Sequence, residues 1–150
     1  MLDKSISQIS KPIKEELNKF DSFLRHSLDS KVKIINTIIN YMIRHKGKKI
    51  RAILCMLCAK LTGKEINNLT YLSASTVEII HVATLLHDDV VDDAYLRRGW
   101  PTINKIWKNK LSILVGDFMF SKSLLSIAKH NSMKSINILA NVSERLSEGE

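Results

Sequence analysis

Apolar residues fall at helical intervals through most of the chain. Ile6, Ile9, Ile13, Leu17, Phe20 and Leu24 are spaced by three or four, which predicts helix across residues 1–28 with Pro12 near its start, after Ser10. Val32, Ile34, Ile35, Ile38, Ile39 and Met42 repeat the pattern over 29–44, where Asp29 or Ser30 is suited to cap the first turn. An apolar run from Ile53 to Leu61 stops at the turn Thr62-Gly63-Lys64. Asn67 or Asn68 then opens a long central helix over roughly 69–93. Trp100-Pro101-Thr102 reads as a loop, because proline disfavours helix in the residue before it. Two more helices are predicted over 109–129 and 131–148. The expected fold class is all-α, in one domain.

Composition agrees with this. The 150 residues are 45% hydrophobic, enough for a real core, and contain only five Gly and two Pro. No internal repeat or low-complexity segment interrupts them. A net charge of +8 admits nucleic acid, an anionic membrane surface or small anions as partners. Aromatics make up only 6% and the cations are spread along the chain, so there is no basic stripe with stacking platforms, and nucleic acid is disfavoured. The N-terminus has no signal-peptide core, and the longest unbroken apolar run, Ala52 to Ala59, is too short to span a bilayer. The expectation is a soluble, cytosolic protein with no transmembrane segment. Cys55 and Cys58 form a CxxC without a second ligand pair, inside an apolar helical run, and are read as core cysteines rather than as a zinc or redox site.

The chemistry concentrates between Glu78 and Gly99. Asp88, Asp89, Asp92 and Asp93 stand beside Arg97 and Arg98 at the end of an apolar helix containing Val82, Ala83, Leu85, Leu86, Val90 and Val91. Residues four apart share a helix face, so Asp88 and Asp92 point the same way and repel unless a cation lies between them. Mg²⁺ takes one or two carboxylates and completes its shell with water and phosphate oxygens. Arginine forks suit phosphate. An acidic helix end alone would read as solvated surface; the apolar helix before it places this one at the rim of a core. A second cluster, Arg44-His45-Lys46-Gly47-Lys48-Lys49-Ile50-Arg51, runs into the next helix start. Cations there oppose the helix dipole, and an anion would relieve them; the alternative is a solvated basic turn. His81 shares a face with Asp88, which leaves it either a core histidine or part of the site.

Asp88-Asp89-Val90-Val91-Asp92 followed by Leu96-Arg97-Arg98-Gly99 resembles the first aspartate-rich motif, DDxxD…RRG, of the trans-polyprenyl diphosphate synthases. The surrounding residues, with Pro101-Thr102 after them, look most like the long-chain, octaprenyl-type enzymes. The resemblance implies an isoprenoid-synthase-like helical bundle and a Mg²⁺-dependent prenyltransferase that joins isopentenyl diphosphate to an allylic diphosphate. It implies Asp88 and Asp92 as metal ligands, Asp89 as a supporting catalytic residue and Arg97 for the allylic diphosphate. Gly47-Lys48-Lys49-Ile50-Arg51 is similar to the family's GGKRxRP, departing from it at Lys46, Lys49 and Ala52. Lys48, Arg51, His81 and Arg98 are thereby implied for isopentenyl diphosphate. Ala83 and Thr84 occupy the positions that wall the family's chain-length pocket, and their small size implies a long product. Gly116-Asp117-Phe118 matches the family's GD-aromatic segment, with Asp117 read as a buried carboxylate or cap with a structural role, and His87 is read as packing.

The resemblance covers nearly all of this chain and only the first half of the family's, whose other half carries a second DDxxD and a lysine. Three expectations follow: a truncated or shortened prenyltransferase, one half of a split enzyme, or a non-catalytic helical subunit associating with a full-length synthase. Partners are accordingly a second half or subunit, or a second copy in a homodimer.

Overall fold

The computed structural model describes residues 2–45, 47–63, 65–130 and 132–148. Helices α1 (Leu2–Ser10), α2 (Lys14–Ser27), α3 (Lys33–Arg44), α4 (Ile50–Leu61) and α5 (Asn68–Val91) precede a two-stranded antiparallel hairpin, β1 (Leu96–Arg97) and β2 (Trp100–Pro101). Helices α6 (Ile103–Ala128) and α7 (Met133–Glu148) complete it. The all-α class is as expected.

The differences in detail have local causes. Pro12 does not start the first helix but divides it: a 3₁₀ turn, Lys11–Ile13, separates α1 from α2. Proline has no N–H to give and its ring collides with the carbonyl four residues back, so one helix does not run through it. Helix α3 begins four residues later than the pattern suggests. Neither Asp29 nor Ser30 is its cap; the Asn36 side chain instead clamps Ser30, accepting its N–H at 3.0 Å and donating to its carbonyl at 2.6 Å. Helix α6 extends back to Ile103 but is broken at Lys108, whose φ of 70° and ψ of 158° are not helical. The regular segment after the break is the predicted one.

Helix α5 is the axis. Asn67 caps it, its side chain accepting the Leu69 and Thr70 amides at 3.0 and 3.2 Å while the Thr70 hydroxyl receives the Asn67 amide. One side of α5 packs on α6 through Ile79, Ala83 and Leu86 against Val115 and Met119, with Leu28 and Ile39 closing over them. The N-terminal end of α5 packs through Tyr71 and Ala74 on Ala52, Ile53 and Met56 of α4 and on Ile13 and Phe20. By length and composition α5 and α6 would each be able to cross a membrane, although the sequence has no long unbroken apolar run; in the molecule 50% and 33% of their most apolar windows are buried. The cysteines differ from expectation. Cys55 is only half-buried, with burial pushing its thiol pKa up, and Cys58 is exposed. None of the described residues of α7 is buried, and Ile138, Val142 and Leu146 form an exposed apolar stripe along it.

Candidate active site

The site is assembled at the C-terminal end of α5. There the chain leaves the helix through Asp93 in the left-handed region (φ 48°). The Ala94 amide donates to the Asp89 carbonyl at 3.0 Å and the Asp93 amide to the Val90 carbonyl at 3.3 Å, a Schellman closure with aspartate where glycine is usual. Buried Thr102 and Asn104 fasten this turn: the Thr102 hydroxyl donates to Ala94 O at 2.7 Å and Asn104 Nδ2 to Asp89 O at 3.1 Å. Arg98 (φ 55°) and Gly99 (φ 84°) then form the two-residue hairpin turn, which needs positive φ at both positions.

That hairpin sorts the four aspartates. It brings Arg97 back onto Asp89, with Nε 2.9 and 3.0 Å from the two carboxylate oxygens and Nη2 2.8 Å from Oδ1. Asp89 is buried at 3% exposure, so its oxygens serve the guanidinium rather than a solvent-side ligand. The bond to Asp89 is the main reason the Arg97 pKa is raised. Asp93 is neutralised by Lys105 at 2.6 Å, whose ammonium also lies over the Tyr95 ring. Asp88 and Asp92 are exposed, and among the described residues their carboxylates carry no hydrogen bond or ion pair. Two oxygen ligands one turn apart fit a hard cation that completes its shell with water and phosphate. Among the described residues no three His, Cys, Asp or Glu side chains are grouped to hold a metal ion.

The basic cluster faces the same region from α4. Gly47 lies against the Arg98 guanidinium so closely that a Cβ there would overlap it. Lys49, in the left-handed region (φ 50°), borders the same cavity as the other cations but is engaged elsewhere. Its ammonium pairs with Asp21 and lies 5.9 Å above the Phe20 ring, and burial lowers its pKa. Lys48, Arg51, His81, Arg97 and Arg98 all border one cavity of about 500 Å³ between α3, α5 and the hairpin. The His81 pKa is lowered by burial and then by Arg51, Arg97 and Arg98, which favours a neutral imidazole. Tyr41 ties α3 to the hairpin by donating to Pro101 O at 2.8 Å, and His45 packs on Trp100 with the rings tilted by 45° and centroids 4.1 Å apart.

Glu78 belongs to this group and was not singled out in the sequence. Its carboxylate accepts the Ala52 amide at the start of α4, an N-terminus with no cap of its own. Its Oε2 is buried without a hydrogen-bond partner, and burial raises its pKa against the opposing pull of Arg51. The only hint was an acidic residue on an apolar helix, three positions before His81.

Other candidates lie apart. Ala83 is fully packed in the core and the Thr84 hydroxyl donates to His81 O at 2.8 Å; neither borders the cavity. Asp117 is exposed rather than buried, and His87 Nε2 approaches it at 3.2 Å, with Gly116 leaving room for the imidazole. Lys46 lies outside the described residues.

An all-α bundle with an acidic cluster at the end of its central helix and a basic cluster facing it from the start of α4 is an isoprenoid synthase arrangement. Residues 32–150 match the polyprenyl synthetase family, to which the chain belongs. It is 37% identical to the octaprenyl diphosphate synthase of Haemophilus influenzae over 97% of this chain and 44% of that protein. Its fold superposes on the decaprenyl diphosphate synthase of Rhodobacter capsulatus with a TM-score of 0.90 at 36% identity, covering 96% of this chain and 44% of the other. The polyprenyl synthase of Caulobacter crescentus, solved with calcium and isoprenyl diphosphate, gives a TM-score of 0.88 at 35% identity, with 96% and 44% covered. The chain thus spans less than half the length of these relatives.

Proposed function

We propose that this chain provides the first half of the active site of a Mg²⁺-dependent prenyltransferase that makes long-chain polyprenyl diphosphate. The observation that carries the proposal is the sorting of the aspartates. Asp89 and Asp93 are spent on Arg97 and Lys105, while among the described residues the carboxylates of Asp88 and Asp92 keep no hydrogen bond or ion pair and lie close enough to Arg97 to act on it electrostatically. When bound, Mg²⁺ would supply charge neutralisation for a departing diphosphate. Lys48, Arg51 and Arg98 would hold isopentenyl diphosphate, and a neutral His81 would donate a hydrogen bond to it. Arg97, oriented by Asp89, would present its remaining donors to the allylic diphosphate. The reaction breaks the allylic C1–O bond, joins C1 to C4 of isopentenyl diphosphate, and releases a proton.

The exposed apolar stripe of α7 and exposed Ile113, Leu114 and Leu125 of α6 suit a further helical layer, contributed by a second half, another subunit or a second copy. The test is incorporation of labelled isopentenyl diphosphate into lipid by the purified chain with farnesyl diphosphate and Mg²⁺. Long-chain product shows that this half, alone or self-associated, suffices. Absence of product together with Mg²⁺-dependent diphosphate binding shows a half-site that needs its complement. Absence of both refutes the proposal.

A further inference from the structure

We infer that Cys55 and Cys58 form a dithiolate site on α4 for one thiophilic d10 cation of the Cu(I) type. The site is independent of the proposed Mg²⁺ and diphosphate chemistry.

These residues are the chain's only cysteines. Contrary to the core position expected from the sequence, Cys58 is exposed and Cys55 half-buried, so an ion can reach them from solvent. Both lie within the continuous helix α4, where residues three apart are neighbours on the surface. The two thiols are within electrostatic reach: after burial, charge on Cys58 is the second cause that raises the Cys55 pKa. Two thiolates held there repel each other unless a cation lies between them. Neither sulfur has a hydrogen bond or ion pair among the described residues. Leu54 and Leu61, one turn to either side of Cys58, are exposed apolar residues, and Cys55 packs at the edge of the cluster of Ile13, Phe20 and Met56. Such a setting solvates a thiolate poorly, and a polarisable ion would share its charge.

Helix geometry selects the ion. Side chains at this spacing have Cβ atoms about 5–6 Å apart, whereas a disulfide draws them to about 3.8 Å. A disulfide would therefore distort α4, while a metal held by two bonds of about 2.3 Å spans the pair with the helix intact. Zinc takes four ligands in structural sites, and among the described residues no three His, Cys, Asp or Glu side chains are grouped to hold a metal. Two soft thiolates with no third protein donor suit an ion satisfied by two sulfurs, such as Cu(I). The unpaired aspartates are out of reach. Cys55 belongs to the cluster that packs on the Tyr71 end of α5, and Asp88 lies about 25 Å further along that helix at the helical rise per residue.

Anaerobic titration of the reduced chain with Cu(I), supplied as its coloured bicinchoninate complex, tests the inference. The chain should take up about one equivalent of Cu(I), with a thiolate-to-copper charge-transfer band and equal numbers of copper and chain by native mass spectrometry. Cys58→Ser and Cys55→Ala should each abolish uptake, an almost unaltered urea midpoint showing that the variant is folded. Asp88→Ala should retain it. No uptake from bicinchoninate overturns the site. Uptake of about half an equivalent, lost in Cys58→Ser alone, overturns it too, because the ion then bridges Cys58 of two copies. Uptake that survives both substitutions places the copper elsewhere and refutes the dithiolate. Displacement of the copper by an equal amount of Zn²⁺ overturns the choice of ion.

Discussion

Arg97 and Asp89 make a bidentate pair eight residues apart in sequence, with the guanidinium partly in water and the carboxylate buried. Removing the arginine leaves a charge inside the protein with no counter-ion. Breaking a fully buried pair from one side costs roughly 3–5 kcal/mol, and the partial exposure of Arg97 lowers the expectation to about 2–3 kcal/mol. Arg97→Ala should show this as a lower urea midpoint. Arg97→Lys, which has no fork, should recover less than half of the loss. A stability change within about 0.5 kcal/mol, typical of an ordinary surface substitution, would mean that the pair does not anchor the hairpin.

Asp88 and Asp92 should behave in the opposite way. Neither carboxylate is paired among the described residues, so Asp88→Ala and Asp92→Ala should leave the unfolding midpoint almost unchanged, or raise it slightly by removing mutual repulsion. Both should abolish Mg²⁺-dependent binding of an allylic diphosphate. Asp93→Ala, which removes the Lys105 pair instead, should retain it. Unaltered Mg²⁺-dependent affinity in Asp88→Ala would refute the metal assignment.

The contrast between these aspartates shows where sequence reasoning reached its limit. Helical spacing alone placed Asp88 and Asp92 on one face, and Asn67 was legible as a cap because capping depends on residues within one turn. The Asp89–Arg97 pair depends on a hairpin turn at Arg98-Gly99, and a two-residue ladder has too little pattern to be read before the fold is known. The break at Lys108 is similar: neither Gly nor Pro marks it, and a lysine with φ of 70° has no local signature. Pro12 did mark its break, but a proline at a helix start and one between two helices look alike in sequence. Glu78 was invisible because its partner, the Ala52 amide, lies on another helix.

Glu78 yields a pH-dependent prediction. Burial raises its carboxyl pKa above the ordinary 4.5, so the native state holds the proton more tightly than the unfolded chain does. Ionisation therefore costs stability. That cost is absent below the unfolded pKa, grows as pH rises, and is complete above the folded pKa. Glu78→Gln keeps an acceptor for the Ala52 amide and removes the ionisation. Its stability relative to the unsubstituted chain should rise from acid to neutral pH, as measured by urea unfolding at intervals across that range. A difference that is flat with pH, or falls, would show that the carboxylate is not ionised at a cost.

Gly47 is required by contact rather than by conformation. Its Cα approaches the Arg98 guanidinium so closely that any Cβ would occupy the same space, yet the obstructing atoms belong to the far end of a flexible, exposed side chain. Gly47→Ala should therefore fold with almost the original stability, Arg98 swinging aside into solvent. The loss should appear in binding instead. Without Arg98 beside Lys48 and Arg51, affinity for pyrophosphate should fall about tenfold, or about 1.4 kcal/mol. The decisive control is Arg98→Ala. If the alanine at position 47 acts by displacing the guanidinium, the double variant should bind no more weakly than Arg98→Ala alone. Additive losses would mean that Gly47 contributes through its own backbone, as an amide donor at the anion, and that the contact with Arg98 is incidental.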